Sequence, residues 1–109
     1  MDKEFMAKMG KLKEEMPEVL GNFMQVKDAA FKDDALTEKT KTLMAVAVAV
    51  SLRCEDCIKN HVYSALELGS SKKEVLEASA VAIVMGGGPS ISYTTKVIDI
   101  IDKYEKEEK

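Results

Sequence analysis

The sequence holds one histidine, one arginine and two cysteines in 109 residues. Its longest apolar run, Leu43 to Val50, is eight residues. A membrane-crossing helix needs about 20, so the run is too short to span a bilayer. Neither sign of charge dominates. The 16 basic and 19 acidic residues are interspersed and leave a net charge of −3, which argues against a basic surface for nucleic acid. The opening Met1-Asp2-Lys3-Glu4-Phe5 carries no apolar leader, so the expected location is the cytoplasm. In that reducing compartment a close cysteine pair is there for chemistry or metal binding more often than as a permanent staple.

The remaining composition, 46% apolar and 32% charged, suits a folded globular chain, and 109 residues predict one domain over 1–109. Phe5, Met9, Leu12 and Met16 recur at helical spacing, which predicts an amphipathic helix over 2–16. Pro17 opens a second helix, with a band of Val19, Leu20, Phe23, Met24 and Val26, running to about Phe31. Thr37 is a candidate N-cap, with Glu38 in the following turn.

Residues 45–50 alternate Ala and Val with period two, as a strand would, but no second strand candidate exists to pair with them. Residues 38–52 are therefore read as a buried helix. A helix from about Cys54 to Leu68 stops at Gly69. Ser71 and Glu74 form a capping box that opens the next helix, with apolar positions Val75, Leu76, Ala78, Ala82, Ile83 and Met85. Gly86-Gly87-Gly88 ends it. Pro89 starts the last helix, banded by Tyr93, Val97, Ile98, Ile100, Ile101 and Tyr104, and a frayed charged tail is expected from Glu105 to Lys109. The fold class is all-α, about six helices. Several of these helices are apolar on more than one face, and a domain this small has little interior to hide them. Self-association is expected.

The chemistry concentrates in Cys54-Glu55-Asp56-Cys57-Ile58-Lys59-Asn60-His61, which holds both cysteines and the histidine. On a helix, Cys54, Cys57 and His61 fall within an arc of about 60°, continued by Ala65 and Leu68, and that face is expected to turn inward. Thiols beside a base make a candidate redox site. His61 stands one turn after Cys57, which permits a direct or water-bridged hydrogen bond and argues for Cys57 as the activated thiol. The helix dipole argues for Cys54. Zinc is the competing reading, with Cys54, Cys57 and His61 as three ligands, but no further Cys or His exists to close the site. A c-type haem needs His directly after the second Cys, where Ile58 stands. The glycine triplet follows a helix and lacks a GK[ST] sequel, so it reads as a connection and not a phosphate cradle. Tyr93 reads as ordinary packing.

These residues have a family look. Leu36-Thr37-Glu38-Lys39-Thr40-Lys41-Thr42-Leu43-Met44-Ala45-Val46-Ala47-Val48 leads into Cys54-x-x-Cys57-x-x-x-His61, followed by Ala65-Leu66-Glu67-Leu68-Gly69, Glu74-Val75 and Met85-Gly86-Gly87-Gly88-Pro89. The pattern, over about Pro17 to Tyr104, resembles the carboxymuconolactone decarboxylase / alkylhydroperoxidase D-like family in its small CxxC-containing form. The resemblance implies an all-helical fold assembled as trimers or hexamers. It also implies a thiol-dependent antioxidant activity, reducing hydroperoxides or exchanging disulfides, with an external dithiol or thiol protein as reductant and no cofactor. On the same ground Cys57 is the peroxide-attacking cysteine, Cys54 the resolving one, and His61 part of a proton relay.

One position departs from the pattern. The family's relay glutamate, twelve residues before the first cysteine, is here Thr42. Glu38, one turn earlier, is the candidate substitute, and its plainer role is a first-turn acid serving the helix dipole. Two other functions stay open. A carboxymuconolactone decarboxylase fits the resemblance, but those members generally do without the CxxC pair, and binding several carboxylates would have to be done with no arginine except Arg53. A non-catalytic redox-sensing oligomeric module would use the same cysteines.

Overall fold

The computed structural model describes residues 3–108. Among them are six α-helices and no strand: α1 Lys3–Glu15, α2 Pro17–Phe31, α3 Glu38–Leu52, α4 Glu55–Glu67, α5 Lys72–Gly86 and α6 Gly88–Glu108. Asp2, the expected start of the first helix, and Lys109 lie outside the described residues.

Local chemistry sets most boundaries. Pro17 is at the start of α2, where its missing N–H costs nothing. Thr37 caps α3, its hydroxyl accepting from the Thr40 amide at 3.1 Å. Ser71 and Glu74 complete the capping box of α5, with bonds of 3.0 and 2.9 Å. Between α2 and α3, Asp33 Oδ1 accepts the Glu38 amide and Lys41 Nζ donates to the Lys32 carbonyl, both at 2.6 Å.

The turn from α3 to α4 is only Arg53 and Cys54. Arg53 adopts φ 57°, the left-handed region that side chains rarely occupy, and donates its N–H back to the α3 carbonyls. This sharp reversal brings the start of α4 directly off the end of the central helix.

The core lies between α3, α4, α5 and α6. Val46, Val50, Ile58, Val62, Val75, Val97 and Ile101 are all without exposed surface. Each such side chain contributes roughly 1.5–3 kcal/mol through removal of apolar area from water. The alternating segment of α3 resolves as a helix, because Val46, Ala49 and Val50 bury at i, i+3 and i+4 while Val48 faces out.

Two expectations need correction. The tail does not fray after Tyr104. The α6 helix continues to Glu108, where the Tyr63 hydroxyl donates to Glu107 Oε2 at 3.0 Å and Tyr63 meets Tyr104 edge-on. Apolar bands also do not translate evenly into burial. The α1 and α2 helices contain no buried residue, and Met85 of α5 is 80% exposed.

Candidate functional site

The α4 helix carries the site, but not on the face its periodicity suggested. The buried face is Ile58, Val62 and Ala65, with Tyr63 beside it. Cys57 and His61 are half-buried on the shoulder, and Leu68 is 39% exposed. The reason is energetic: Ile58 and Val62 remove more apolar area from water than a thiol and an imidazole do, so the core claims them. Cys54 is not the first helical residue. It is the N-cap, in extended conformation, and its sulfur accepts the Cys57 amide proton at 3.2 Å.

Cys54 and Cys57 are joined as a disulfide, their Cα atoms 5.2 Å apart. The pair sits where the unpaired amides of a helix start favour negative charge on sulfur. Glu55 and Asp56 in the same first turn oppose that charge. Lys96 of α6 offsets one of them: its ammonium lies 2.7 Å from Glu55, and the contact holds the Glu55 carboxyl below its ordinary range. The same bridge ties the start of α4 to α6.

His61 faces the other way, toward α2. Its ring stacks parallel on Phe31, with centroids 5.9 Å apart. Burial and, secondarily, the Lys27 charge lower its pKa from 6.5, so the imidazole is neutral at pH 7 and able to take up a proton. A direct Cys57–His61 hydrogen bond is not among the contacts of the described residues. Instead His61 borders a cavity of about 180 Å³, together with Glu38, Thr42, Ser64, Phe31, Lys27, Asp28 and Lys32. The structure thus brings Glu38, Thr42 and His61 around one space, with the disulfide at the adjoining helix start and outside that lining.

Sequence reasoning missed Phe31, Lys27 and Ser64. Phe31 read as the last residue of a helix, and Ser64 as water-facing. Only the packing of α2 against α3 and α4 gives them a place, and no local pattern signals it. Tyr93 packs against the core, with Lys96 above its ring. No group of three or more His, Cys, Asp or Glu side chains among the described residues is placed to hold a metal. No described helix is long and apolar enough to cross a membrane.

An all-helical fold with a CxxC pair at a helix start, and a histidine one turn on, defines a known class. The sequence pattern of the Carboxymuconolactone decarboxylase family matches residues 17–99, and the chain belongs to that family. It is 34% identical to an uncharacterized protein of Cupriavidus necator, over 91% of this chain and 88% of that one. A carboxymuconolactone decarboxylase family protein from Legionella pneumophila superposes with a TM-score of 0.90 at 36% identity, covering 94% of this chain and 91% of the other. A second, from Thermotoga maritima, for which involvement in the antioxidative response has been suggested, gives a TM-score of 0.77 at 29% identity, over 82% and 92%.

Proposed function

We propose that the protein is a thiol-dependent antioxidant enzyme that reduces hydroperoxides, or exchanges disulfides, through Cys54 and Cys57. The observation that carries this reading is the Cys54–Cys57 disulfide at the start of α4, one turn from a neutral, half-buried His61.

In the reduced enzyme the Cys57 thiol gives up its proton toward His61, directly or through water. The Cys57 thiolate attacks the outer peroxide oxygen; the O–O bond breaks, Cys57 becomes a sulfenic acid, and the alkoxide takes up from solvent the proton that Cys54 has released and leaves as the alcohol. The Cys54 thiolate then attacks the Cys57 sulfur. The S–S bond forms, and the hydroxyl takes a proton from the imidazolium and departs as water. An external dithiol reduces the disulfide, its two thiols supplying two electrons and two protons. Cys54 suits the resolving step, because as the N-cap its sulfur accepts the Cys57 amide proton, an arrangement that favours the thiolate over the thiol.

Glu38 and Thr42 extend the proton path through the cavity they share with His61. Thr42 is buried and cannot act as a base at neutral pH, so Glu38 at the rim is the group that exchanges protons with solvent. Lactone decarboxylation is less well supported. Binding several carboxylates calls for an excess of cations, whereas Lys27 and Lys32 on the cavity wall are balanced by Asp28 and Glu38.

The test is a cycling experiment. The reduced protein is titrated with hydrogen peroxide and an organic hydroperoxide, free thiols are counted, and a dithiol is added over repeated rounds. Loss of two thiols per chain, restored in each round with peroxide consumed, is the expected result. Oxidation that happens once and does not cycle would mark a sensor instead of an enzyme.

A further inference from the structure

Among the described residues, two buried side-chain oxygens have no hydrogen-bond partner, Asn60 Oδ1 and Ser70 Oγ. Ser70 lies beyond the far end of α4. Asn60 lies one turn from the sulfurs. A buried acceptor left without a donor loses its bond to water and gains nothing in return, so native proteins seldom keep one without a use.

The position of the oxygen narrows that use. Side chains of an α-helix lean toward its N-terminus and cover the residues three and four positions back. For Asn60 those are Cys57 and Asp56, with Cβ atoms about 5–6 Å away. Asp56 is exposed, whereas Cys57 is half-buried and packs against the core. An oxygen turned away from water is therefore on the Cys57 side. Asp56 is in any case a carboxylate, with no hydrogen to give at neutral pH. Cys57, in the disulfide, has none either. Reduction changes that. A dithiol breaks the S–S bond and delivers two electrons and two protons, and the Cys57 thiol becomes a donor.

We propose that Asn60 is the redox-linked hydrogen-bond partner of Cys57: its carboxamide oxygen, unpartnered in the disulfide, accepts the S–H hydrogen in the reduced protein and the O–H hydrogen in the sulfenic acid. Asn60 and His61 then flank Cys57 from the next turn with different tasks. The amide holds a hydrogen without taking it, and the imidazole takes the proton when the thiol turns to it. In the sulfenic acid the hydroxyl hydrogen rests on Asn60, which leaves the oxygen lone pairs toward the imidazolium that protonates it. The bond exists on the reduced side only, so it favours the dithiol and makes the disulfide easier for a reductant to open. The inference rests on reading Cys54 and Cys57 as a pair that is opened and reclosed.

The test uses the full chain and Asn60→Leu, which keeps the shape of the side chain and removes its oxygen. Both proteins are equilibrated with reduced and oxidised dithiothreitol, and their thiols are counted. The equilibrium constant for reducing the variant should be about tenfold smaller, a fall of about 30 mV for a two-electron couple. In denaturant unfolding the variant should gain more stability as the disulfide than as the dithiol, a comparison in which helix propensity cancels. Where the variant does not fold, the unmodified chain decides. The NMR signal of the Asn60 carbonyl carbon, Cγ, should move downfield on reduction, as a carbonyl does on accepting a hydrogen. A potential that is unchanged or raised would overturn the inference. So would an equal change of stability in both redox forms, or a Cγ signal that stays in place or moves upfield. None of these readouts involves peroxide, so a protein that cycles its thiols but turns over no peroxide fails the proposed function and leaves this inference standing.

Discussion

The sulfur of Cys54 accepts the amide proton of Cys57 at 3.2 Å, so the first thiol of the pair is also the N-cap of the helix that carries the second. Serine, threonine and aspartate usually hold such positions. A thiolate there keeps the capping bond and gains from the helix dipole.

The Cys54 thiol should therefore be the more acidic one. In reduced protein carrying Cys57→Ser, pH-dependent alkylation should give Cys54 a pKa below the ordinary thiol value of about 8.5. A Cys54 that titrates at or above that value would remove the basis for its resolving role.

The two cysteines should fail differently. Cys57→Ser should abolish peroxide turnover, whereas Cys54→Ser should consume about one peroxide per chain and accumulate a sulfenic acid. Trapping with a sulfenate-specific reagent and mass spectrometry distinguishes the two. Full activity in Cys57→Ser would reassign the nucleophile.

The lowered pKa of His61 makes stability depend on pH with a defined sign. The unfolded chain binds this proton first, near 6.5, so the folded state loses stability as pH falls below that value and until the folded-state pKa is passed. At higher pH both states are neutral and the contribution is zero. Denaturant unfolding of His61→Gln should lack this decline relative to the unmodified chain between about pH 7 and 5. Its peroxide turnover should also fall, by about 10²–10⁴-fold if the imidazole acts as general base.

Glu38 and Thr42 border the same cavity as His61 and test the proton path from its far end. Glu38→Gln should lower peroxide turnover at neutral pH while leaving disulfide exchange with a small dithiol unchanged. Thr42→Glu should raise peroxide turnover and lower stability, because a carboxylate would enter a site that is 3% exposed. Equal loss of both activities in Glu38→Gln would point to a structural role for that residue.

Ile101 of α6 is fully buried and distant in sequence from the site. Ile101→Ala should cost roughly 2–5 kcal/mol in denaturant unfolding, the transfer and cavity terms together. Thiol pKa values should not move.

Helix positions were legible because they rest on short-range chemistry. The Thr37 cap, the Ser71/Glu74 box, Pro17 and the Gly69 and Gly87 turns each act within four residues, and a sequence shows such spacings directly. The last helix was harder. Nothing in Glu105 to Glu108 announces order, and it is Tyr63, 44 residues earlier, that bonds Glu107.

By itself the sequence determined that the chain is helical, that its sulfurs and imidazole share one short segment, and which family it resembles. All three follow from spacing along one strand of covalent bonds. Which side of α4 faces the core was decided by tertiary structure, because Ile58 and Val62 compete with Cys57 and His61 for a single interior and burial of apolar area settles the contest. The pairing of His61 with Phe31, across a loop and a whole helix, belongs to the same category. Contacts between distant segments depend on how helices pack, and packing is a property of the assembled surface.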